Sequence, residues 1–215
     1  MSDSETVAFE VLGNTADSYR AVPEIKINYN KALGEYLEFN LDSEVAHFDN
    51  TLDTAPTATR FHVAPTLAVP LRAAWGELVA ETTLFQTVYQ QDNVEGTDLK
   101  EDVERTLGQA RLYGALYFER DKSWFSDDMS MTLEPKIQYL YTSYEDQTAI
   151  GFYDSTPLLT DVEGLFRGQE FTGLDRISDN NQITLGATTR MLDKNNREQF
   201  VLSVGQIFYL EDNKV

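Results

Sequence analysis

Residues 133–186 read LEPKIQYLYTSYEDQTAIGFYDSTPLLTDVEGLFRGQEFTGLDRISDNNQITLG. The segment begins as an alternating strand that ends near Leu140, and a second strand begins at about Gln182. Between them lie roughly forty residues without a sustained period, and so long a connection in a compact domain is generally functional or disordered. Its large apolar side chains predict packing against a surface: Phe152, Tyr153, Leu158, Leu159, Leu165, Phe166, Phe171 and Leu174.

The rest of the chain alternates between apolar and polar residues, which is the pattern of half-buried strands. It predicts an all-β antiparallel meander of about eight long strands, at residues 21–29, 35–48, 60–71, 77–90, 105–120, 129–140, 182–192 and 199–210. Many of these strands exceed the roughly five or six residues usual in globular proteins. They suit a tilted crossing of a bilayer, which takes about nine to eleven residues.

The predicted connections alternate in length. Short ones lie at 30–34, 72–76, 121–128 and 193–198, and long ones at 49–59, 91–104 and 141–181. Outer-membrane barrels alternate short periplasmic turns with long outer loops in this way. Aromatic residues gather near strand ends, as an interfacial girdle requires: Tyr29, Tyr36, Phe61, Trp75, Tyr89, Phe118, Trp124 and Tyr139. The alternative is a soluble β-sandwich binding module, because alternation alone fits both.

The chain is strongly acidic, with 17 Lys+Arg against 36 Asp+Glu and a net charge of −19. This balance argues against nucleic acid as a partner, since phosphates need basic contacts. There is no cysteine, which excludes thiolate zinc sites. The first residues do not form a signal peptide and no apolar run could be a transmembrane helix. We therefore expect either a cytosolic protein or an internal piece of a longer exported one.

No catalytic constellation stands out, and we expect no enzyme activity, metal or cofactor. His47 and His62 are the only histidines and lie on different predicted strands. There is no phosphate-binding glycine loop and no GxSxG elbow. The acidic groups around 92–98 and 101–104 lack the spacing of a known calcium loop.

The polar sides of two predicted strands are more informative. If the face that carries Leu37 meets lipid, the opposite residues line a wet lumen: Glu38, Asn40, Asp42, Glu44, Glu134, Lys136 and Gln138. In the alternative reading these residues form the solvent side of a sandwich.

Four stretches carry a resemblance to a known family: YRAVPEIKI at 19–27, LEPKIQYLY at 133–141, GFYDSTPLLTDVEGLFRGQEFTGLDRISDNNQITLGATTR at 151–190 and SVGQIFYL at 203–210. The chain resembles the LPS-assembly outer membrane protein family, LptD, formerly the organic solvent tolerance protein. The resemblance implies an internal segment of a very large single-chain barrel in the outer membrane of a Gram-negative bacterium. An isolated segment would be an open curved sheet. Residues 1–20 would form an acidic lead-in with a possible partial strand, 21–210 the barrel segment and 211–215 a tail.

The family's function is the last step of lipopolysaccharide (LPS) export, in which no covalent chemistry occurs. The resemblance implies that acyl chains leave through a lateral gate into outer-membrane lipid while the sugars pass the lumen, partly plugged by the lipoprotein LptE. The periplasmic LptA bridge would join an N-terminal jellyroll domain that is missing here, as are the gate prolines and disulfide cysteines. We expect this segment alone not to transport, and an acidic lumen to weaken sticking of the LPS phosphates.

The resemblance also implies a surface on which the 141–181 loop packs. It implies that the loop folds into or over the lumen. Aromatic residues would pack on the inner wall or on LptE, and charged residues would act as polar anchors. The candidate contact residues are Phe152, Tyr153, Asp154, Phe166, Arg167, Phe171, Asp175 and Arg176.

Overall fold

The computed structural model describes residues 6–10, 19–122, 128–159, 161 and 164–215. Its strands are β1 Thr6–Glu10, β2 Tyr19–Ala32, β3 Glu38–Asn50, β4 Thr57–Ala73, β5 Gly76–Asp92, β6 Asp102–Leu116, β7 Phe118–Arg120, β8 Ser130–Thr142, β9 Asn180–Leu192 and β10 Glu198–Tyr209. One 3-10 turn, η1, spans Gly164–Phe166. Parts of the predicted lead-in (1–5, 11–18) and of the turn at 121–128, including Trp124, lie outside the described residues.

The described strands form one antiparallel sheet in the order β1-β2-β3-β4-β5-β6-β8-β9-β10, with β7 paired to β8. All eight predicted long strands are present, and the predicted antiparallel meander is confirmed. The strand predicted at 105–120 is divided into β6 and β7 at Tyr117, whose amide donates to the Trp75 carbonyl, 2.8 Å away. Within the described residues β1 and β10 are the two edges of an open sheet.

Strand length and connection length agree with the sequence pattern. β4 and β5 each have 17 residues, which is more than the roughly nine to eleven that a tilted crossing of a bilayer requires. Short turns, such as the two residues between β4 and β5, lie at one end of the sheet. The connections 51–56, 93–101 and 143–179 lie at the other end. The longest loop is slightly shorter than predicted, because Thr142 still pairs with Asn180.

One face of the sheet is apolar and exposed. Alternate residues along the strands point away from the long loop and remain accessible, although most are large and hydrophobic. We call this the apolar face: Ile25, Ile27, Val45, Phe61, Val63, Leu67, Val69, Leu71, Leu78, Leu84, Val88, Leu112, Leu116, Leu133, Ile137 and Leu185. An exposed patch of this size marks an interaction surface. A sandwich would cover it with a second sheet, whereas the described strands form only one.

The opposite face is polar, and the hydrophobic core lies on it. We call it the polar face; it carries Glu44, Arg60 and Arg105, all of which are buried. The core cluster is Ala46, Phe48, Ala58, Tyr89, Ile150 and Tyr153, so its last two members come from the 143–179 loop. The loop therefore serves as the second layer of the fold.

Among the described residues, no helix has the length and apolar character needed to cross a membrane.

A charge on the apolar face tests its contact with lipid. Leu67 lies near the middle of β4 and is 44% exposed. In the protein folded in phospholipid vesicles, we expect Leu67→Arg to lower the free energy of unfolding by about 2 to 4 kcal/mol, because a cation is placed among acyl chains. Urea titration measures this.

The control for that experiment is Asn28→Arg, at an exposed position of the polar face. It should change the free energy of unfolding by less than about 1 kcal/mol, the usual range for surface substitutions. Equal losses in the two variants would contradict the assignment of the faces.

Candidate functional site

The 143–179 loop, which we call the docking loop, packs on the polar face near the long-loop end of the sheet. Its deepest aromatic residue is Tyr153. The Tyr153 ring stacks on Phe48 with centroids 5.4 Å apart and meets Tyr19 edge-on at 5.2 Å. Its hydroxyl donates to Gln91 Oε1, 2.7 Å away. Tyr153 therefore combines aromatic burial with a satisfied polar group, as buried tyrosines usually do.

Arg60 of β4 lies at the centre of this attachment, and its side chain has no exposed area. Its Nη1 donates to Asp154 Oδ1 and to Asp175 Oδ1, both 3.0 Å away. Its Nη2 donates to Glu44 Oε1 of the neighbouring strand and to Asp154 Oδ2. The guanidinium also lies over the Phe48 ring, 4.7 Å from the centroid. One cation thus joins two strands to two separate parts of the docking loop.

Asp175 ties the two halves of the docking loop together. Its Oδ2 accepts the backbone N–H groups of Tyr153, Asp154 and Ser155 at 2.7, 2.7 and 3.2 Å. Its Oδ1 accepts the Tyr89 hydroxyl at 3.1 Å, in addition to Arg60. Charge-assisted bonds of this kind are roughly twice as strong as neutral ones. The carboxylate therefore fixes the local backbone and attaches it to the sheet.

The two aspartates differ in protonation behaviour. Burial alone would raise the pKa of Asp154, but its hydrogen bonds to Arg60 and the Arg60 charge outweigh burial and hold that pKa below its usual value. Burial, assisted by the negative charge of Asp154, raises the pKa of Asp175 to about 6. Both carboxyls are therefore mostly ionised at neutral pH, and Arg60 is held by carboxylates.

Arg105 and Gln91 extend the attachment along neighbouring strands. Arg105 Nη2 donates to the carbonyl of Leu174 at 2.7 Å, and its Nη1 donates to the carbonyl of Asp175 at 3.1 Å. Gln91 Nε2 donates to the carbonyl of Ala149 at 2.9 Å. These bonds satisfy backbone groups of a buried loop, which would otherwise carry a desolvation penalty.

A second attachment joins the tip of the docking loop to β9 and β10. Gly186 and Gly205 are register partners on these strands, and they leave a notch for Leu165 and Phe166 of η1. A Cβ at Gly186 would lie 2.8 Å from the Phe166 ring, and one at Gly205 would lie 2.7 Å from Leu165 Cδ1. Phe166 also meets Tyr113 of β6 edge-on, at 6.1 Å between centroids. The docking loop therefore reaches from β4 to β10.

The structure brings half of the predicted loop residues to the strands: Tyr153, Asp154, Phe166 and Asp175. The other four contact the loop itself. Arg167 pairs with Asp161, Phe171 bridges to Pro157, and Arg176 lies 3.8 Å from the Phe152 ring centroid. Phe152 is 60% exposed.

The predicted lumen residues all lie on the polar face, but the docking loop divides them. Glu38, Asn40, Asp42, Glu134 and Lys136 keep at least partial exposure. Glu44 and Gln138 are buried. Glu44 binds Arg60, and Gln138 accepts Arg111 Nε at 2.7 Å. These two residues therefore have structural partners and do not line open space.

Sequence reasoning missed the sheet side of the attachment: Arg60, Tyr89, Gln91, Arg105 and the Gly186–Gly205 pair. One signal was available for the arginines. Arg60 and Arg105 are each the fourth residue of a strand that starts at the long-loop end. Both fall on the polar side of the alternation, in a chain with few cations. Such a pair is suited to hold an acidic loop.

An open antiparallel sheet with an exposed apolar face, a loop-covered polar face, and short and long connections at opposite ends defines a wall segment of an outer-membrane type β-barrel. The family model described as "LptD: LPS transport system D" matches residues 3–215. The chain belongs to the LptD family, which confirms the resemblance seen in the sequence.

Three similar proteins are each described as LPS-assembly protein LptD. The chain is 62% identical over 207 residues to the LPS-assembly protein LptD of Pseudoalteromonas atlantica, covering 96% of this chain and 27% of that protein. It is 44% identical over 208 residues to LPS-assembly protein LptD of Shewanella frigidimarina, with the same two coverages. The corresponding protein of Pseudoalteromonas translucida is 45% identical over 208 residues, covering 95% of this chain and 28% of that protein. The chain therefore spans about a quarter of the length of these relatives.

Removing the central cation should release the docking loop. In Arg60→Met, three carboxylates lose a buried partner, and breaking a buried ion pair in this way costs about 3 to 5 kcal/mol. We expect protease to cut within residues 143–179 much faster than in the unaltered protein, while the strands stay protected. Limited proteolysis with peptide mapping measures this.

The control is Arg167→Met, which removes an exposed pair with Asp161 that is worth at most about 1 kcal/mol. Its cleavage rate should stay close to that of the unaltered protein. Equal cleavage of the two arginine variants would show that Arg60 does not hold the loop.

The glycine notch can be tested separately. Gly186→Val places a side chain against Phe166, so we expect the loop tip to detach and cleavage near 164–168 to increase. Gly108→Val is the control, because a Cβ at Gly108 meets nothing within 4 Å. If both valine variants behaved like the unaltered protein, the tip would not depend on the notch.

Proposed function

We propose that this chain forms part of the wall and the plug of the outer-membrane translocon that inserts LPS into the outer leaflet. The observation that carries the proposal is the two-sided sheet, which exposes an apolar face and holds the docking loop on its polar face through Arg60. The relatives named LPS-assembly protein LptD support the same step. In this proposal the chain is located in the outer membrane of a Gram-negative bacterium. The role is non-enzymatic, since moving a glycolipid across a wall changes no covalent bond.

In this proposal residues 21–210 are a segment of a larger barrel, with 1–20 as a lead-in and 211–215 as a tail. The open edges at β1 and β10 support this arrangement, because an unpaired strand edge needs a partner in lipid. Further barrel strands would pair there. The apolar face then contacts acyl chains, and the polar face lines the lumen.

The uncovered part of the polar face suits the passage of sugars. A depression of about 430 Å³ is lined by amide, hydroxyl and carboxylate side chains: Asn28, Asn30, Asn40, Asp42, Thr66, Glu81 and Thr83, with Tyr29. Such groups exchange hydrogen bonds with hydroxyls as readily as with water. The carboxylates repel the phosphates of LPS. Polar cargo can therefore slide past this wall without being retained.

The family and the exposed side chains of the docking loop suggest the partners of this chain. We propose that LptE contacts this loop through its exposed apolar side chains, among which Phe152 is 60% and Leu159 is 89% exposed. Large exposed apolar side chains on a loop so firmly held favour a protein partner. The LptA bridge would reach the translocon through an N-terminal domain of the longer protein.

The function can be tested by depletion of the full-length protein that carries this segment. We expect newly made LPS to fail to reach the cell surface, measured by a surface-acting modifying enzyme. Complementation with the unaltered gene or Arg167→Met should restore surface LPS. Cells that carry Arg60→Met should take up more of a bulky hydrophilic antibiotic than cells that carry Arg167→Met, because the docking loop no longer plugs the barrel.

Two outcomes would count against the proposal in different ways. Normal surface LPS under depletion would refute the role in LPS insertion. Identical antibiotic entry in the two arginine variants would refute the plug while leaving the wall and the transport role intact.

A further inference from the structure

A pocket of about 430 Å³ lies on the polar face, where the tip of the docking loop meets β5 and β6. Its volume is within the roughly 300 to 1,000 Å³ of ligand sites. The strands contribute Glu81, Phe85, Gln109 and Arg111, and the tip contributes Phe166 and Gln169. Because Glu81 also lines the polar depression described above, the pocket adjoins the wall along which we propose that sugars pass.

The charged groups of the pocket are arranged to meet hydroxyl groups. Arg111 Nε donates to Gln138 Oε1 at 2.7 Å, and its Nη1 donates to Glu81 Oε2 at 2.8 Å. The Arg111 and Glu81 side chains are 26% and 29% exposed. Within the described residues, Arg111 Nη2 and Glu81 Oε1 make no hydrogen bond. A donor and an acceptor therefore lie close together, and a hydroxyl, which both donates and accepts, can bond to both.

Among the described residues, the pocket offers no unpaired cation to a phosphate. Arg111 is paired with Glu81. Arg167 also lines the pocket, and its Nη2 lies 3.4 Å from Asp161 Oδ1. Proteins recognise phosphate through charge-assisted bonds from cations, and here both cations already have a carboxylate partner. The lining therefore favours an uncharged ligand over a phosphorylated one.

Two aromatic rings complete the pocket. Phe85 lies beside His62 on the polar face, with ring centroids 6.2 Å apart. Phe166 meets Tyr113 edge-on, and both phenylalanines remain partly exposed. The face of an aromatic ring is electron-rich, so it attracts the C–H groups along one side of a hexose ring. Aromatic rings next to donors and acceptors for hydroxyls are the chemistry that binds a saccharide.

We propose that this pocket binds an uncharged saccharide unit, and that saccharide binding and docking of the loop tip strengthen each other. The proposal rests on the passage of sugars in the proposed function. Phe166 and Gln169 belong to the tip, so the pocket is complete only when the tip is docked. Gln109 joins its two sides, since its Nε2 donates to Thr142 Oγ1 at 3.0 Å and to the carbonyl of Gly168 at 2.9 Å. Coupling between two such events is reciprocal.

The first test is protease protection of the full-length protein purified from membranes. The ligand is the oligosaccharide of LPS, released by mild acid and dephosphorylated, and equilibrium dialysis measures its Kd. Because it binds only the docked tip, ten times its Kd should slow cleavage near 164–168 about tenfold. Cleavage in the 93–101 connection should stay unchanged. By reciprocity, Gly186→Val, which detaches the tip, should weaken oligosaccharide binding several-fold.

Two variants test the lining directly. Arg111→Met removes the donor, and Phe85→Leu removes one ring while keeping an apolar side chain. Each should raise the Kd of the oligosaccharide several-fold. The control is Arg190→Met, because Arg190 is also a partly exposed arginine of the polar face paired with a glutamate, Glu134, but lies outside the pocket. Its Kd should equal that of the unaltered protein.

The outcomes separate this site from the transport role. Absence of binding, or equal Kd values in the three variants, would overturn the saccharide site. Binding that leaves cleavage near 164–168 unchanged would overturn it too, as would much tighter binding of the oligosaccharide with its phosphates retained. None of these results touches the transport role, which the depletion experiment tests. Tip-linked binding together with normal surface LPS under depletion would refute the transport role and leave the site standing.

Discussion

The arrangement of this chain depends on the buried guanidinium of Arg60. Burying a charge is costly, and only good geometry with several hydrogen bonds offsets that cost. Here Glu44, Asp154 and Asp175 accept those hydrogen bonds, and the Arg60 side chain has no exposed area. Without the docking loop, Arg60 and Glu44 would lie on a wetted sheet. With the loop in place they become the centre of a core, so docking and the formation of that core are the same event.

Different parts of the structure were predictable to different degrees. The alternation predicted the eight long strands and the two faces, because side chains on a strand change face at every residue. It also marked the docking loop, since many large apolar residues without a period must pack somewhere. The contacts of Arg60 were not predictable from spacing, because they join residues 94 and 115 positions apart. Only the register of the sheet and the path of the loop bring those residues together.

The same limit explains the mixed outcome for the predicted loop residues. Chemical type suggested that four charged residues would anchor the loop, but only Asp154 and Asp175 reach the sheet. Arg167 and Arg176 instead bind carboxylate or carbonyl oxygens within the loop. A loop of this length must satisfy its own backbone groups once it is buried. Some of its charged side chains therefore bind groups of the loop itself, and the sequence alone does not indicate which ones.

Glycine has two opposite uses in this sheet, and strand parity decides between them. Gly186 and Gly205 face the docking loop, where the missing side chains let Leu165 and Phe166 approach the backbone. Gly114 faces outward, where the missing side chain leaves a groove that the chain does not fill. The loop tip and the charged anchor around Arg60 have different roles in docking. Polar groups around Arg60 can exchange partners with water when the loop leaves, whereas the glycine notch fits only one shape. The charged anchor thus makes docking strong, and the notch makes it specific.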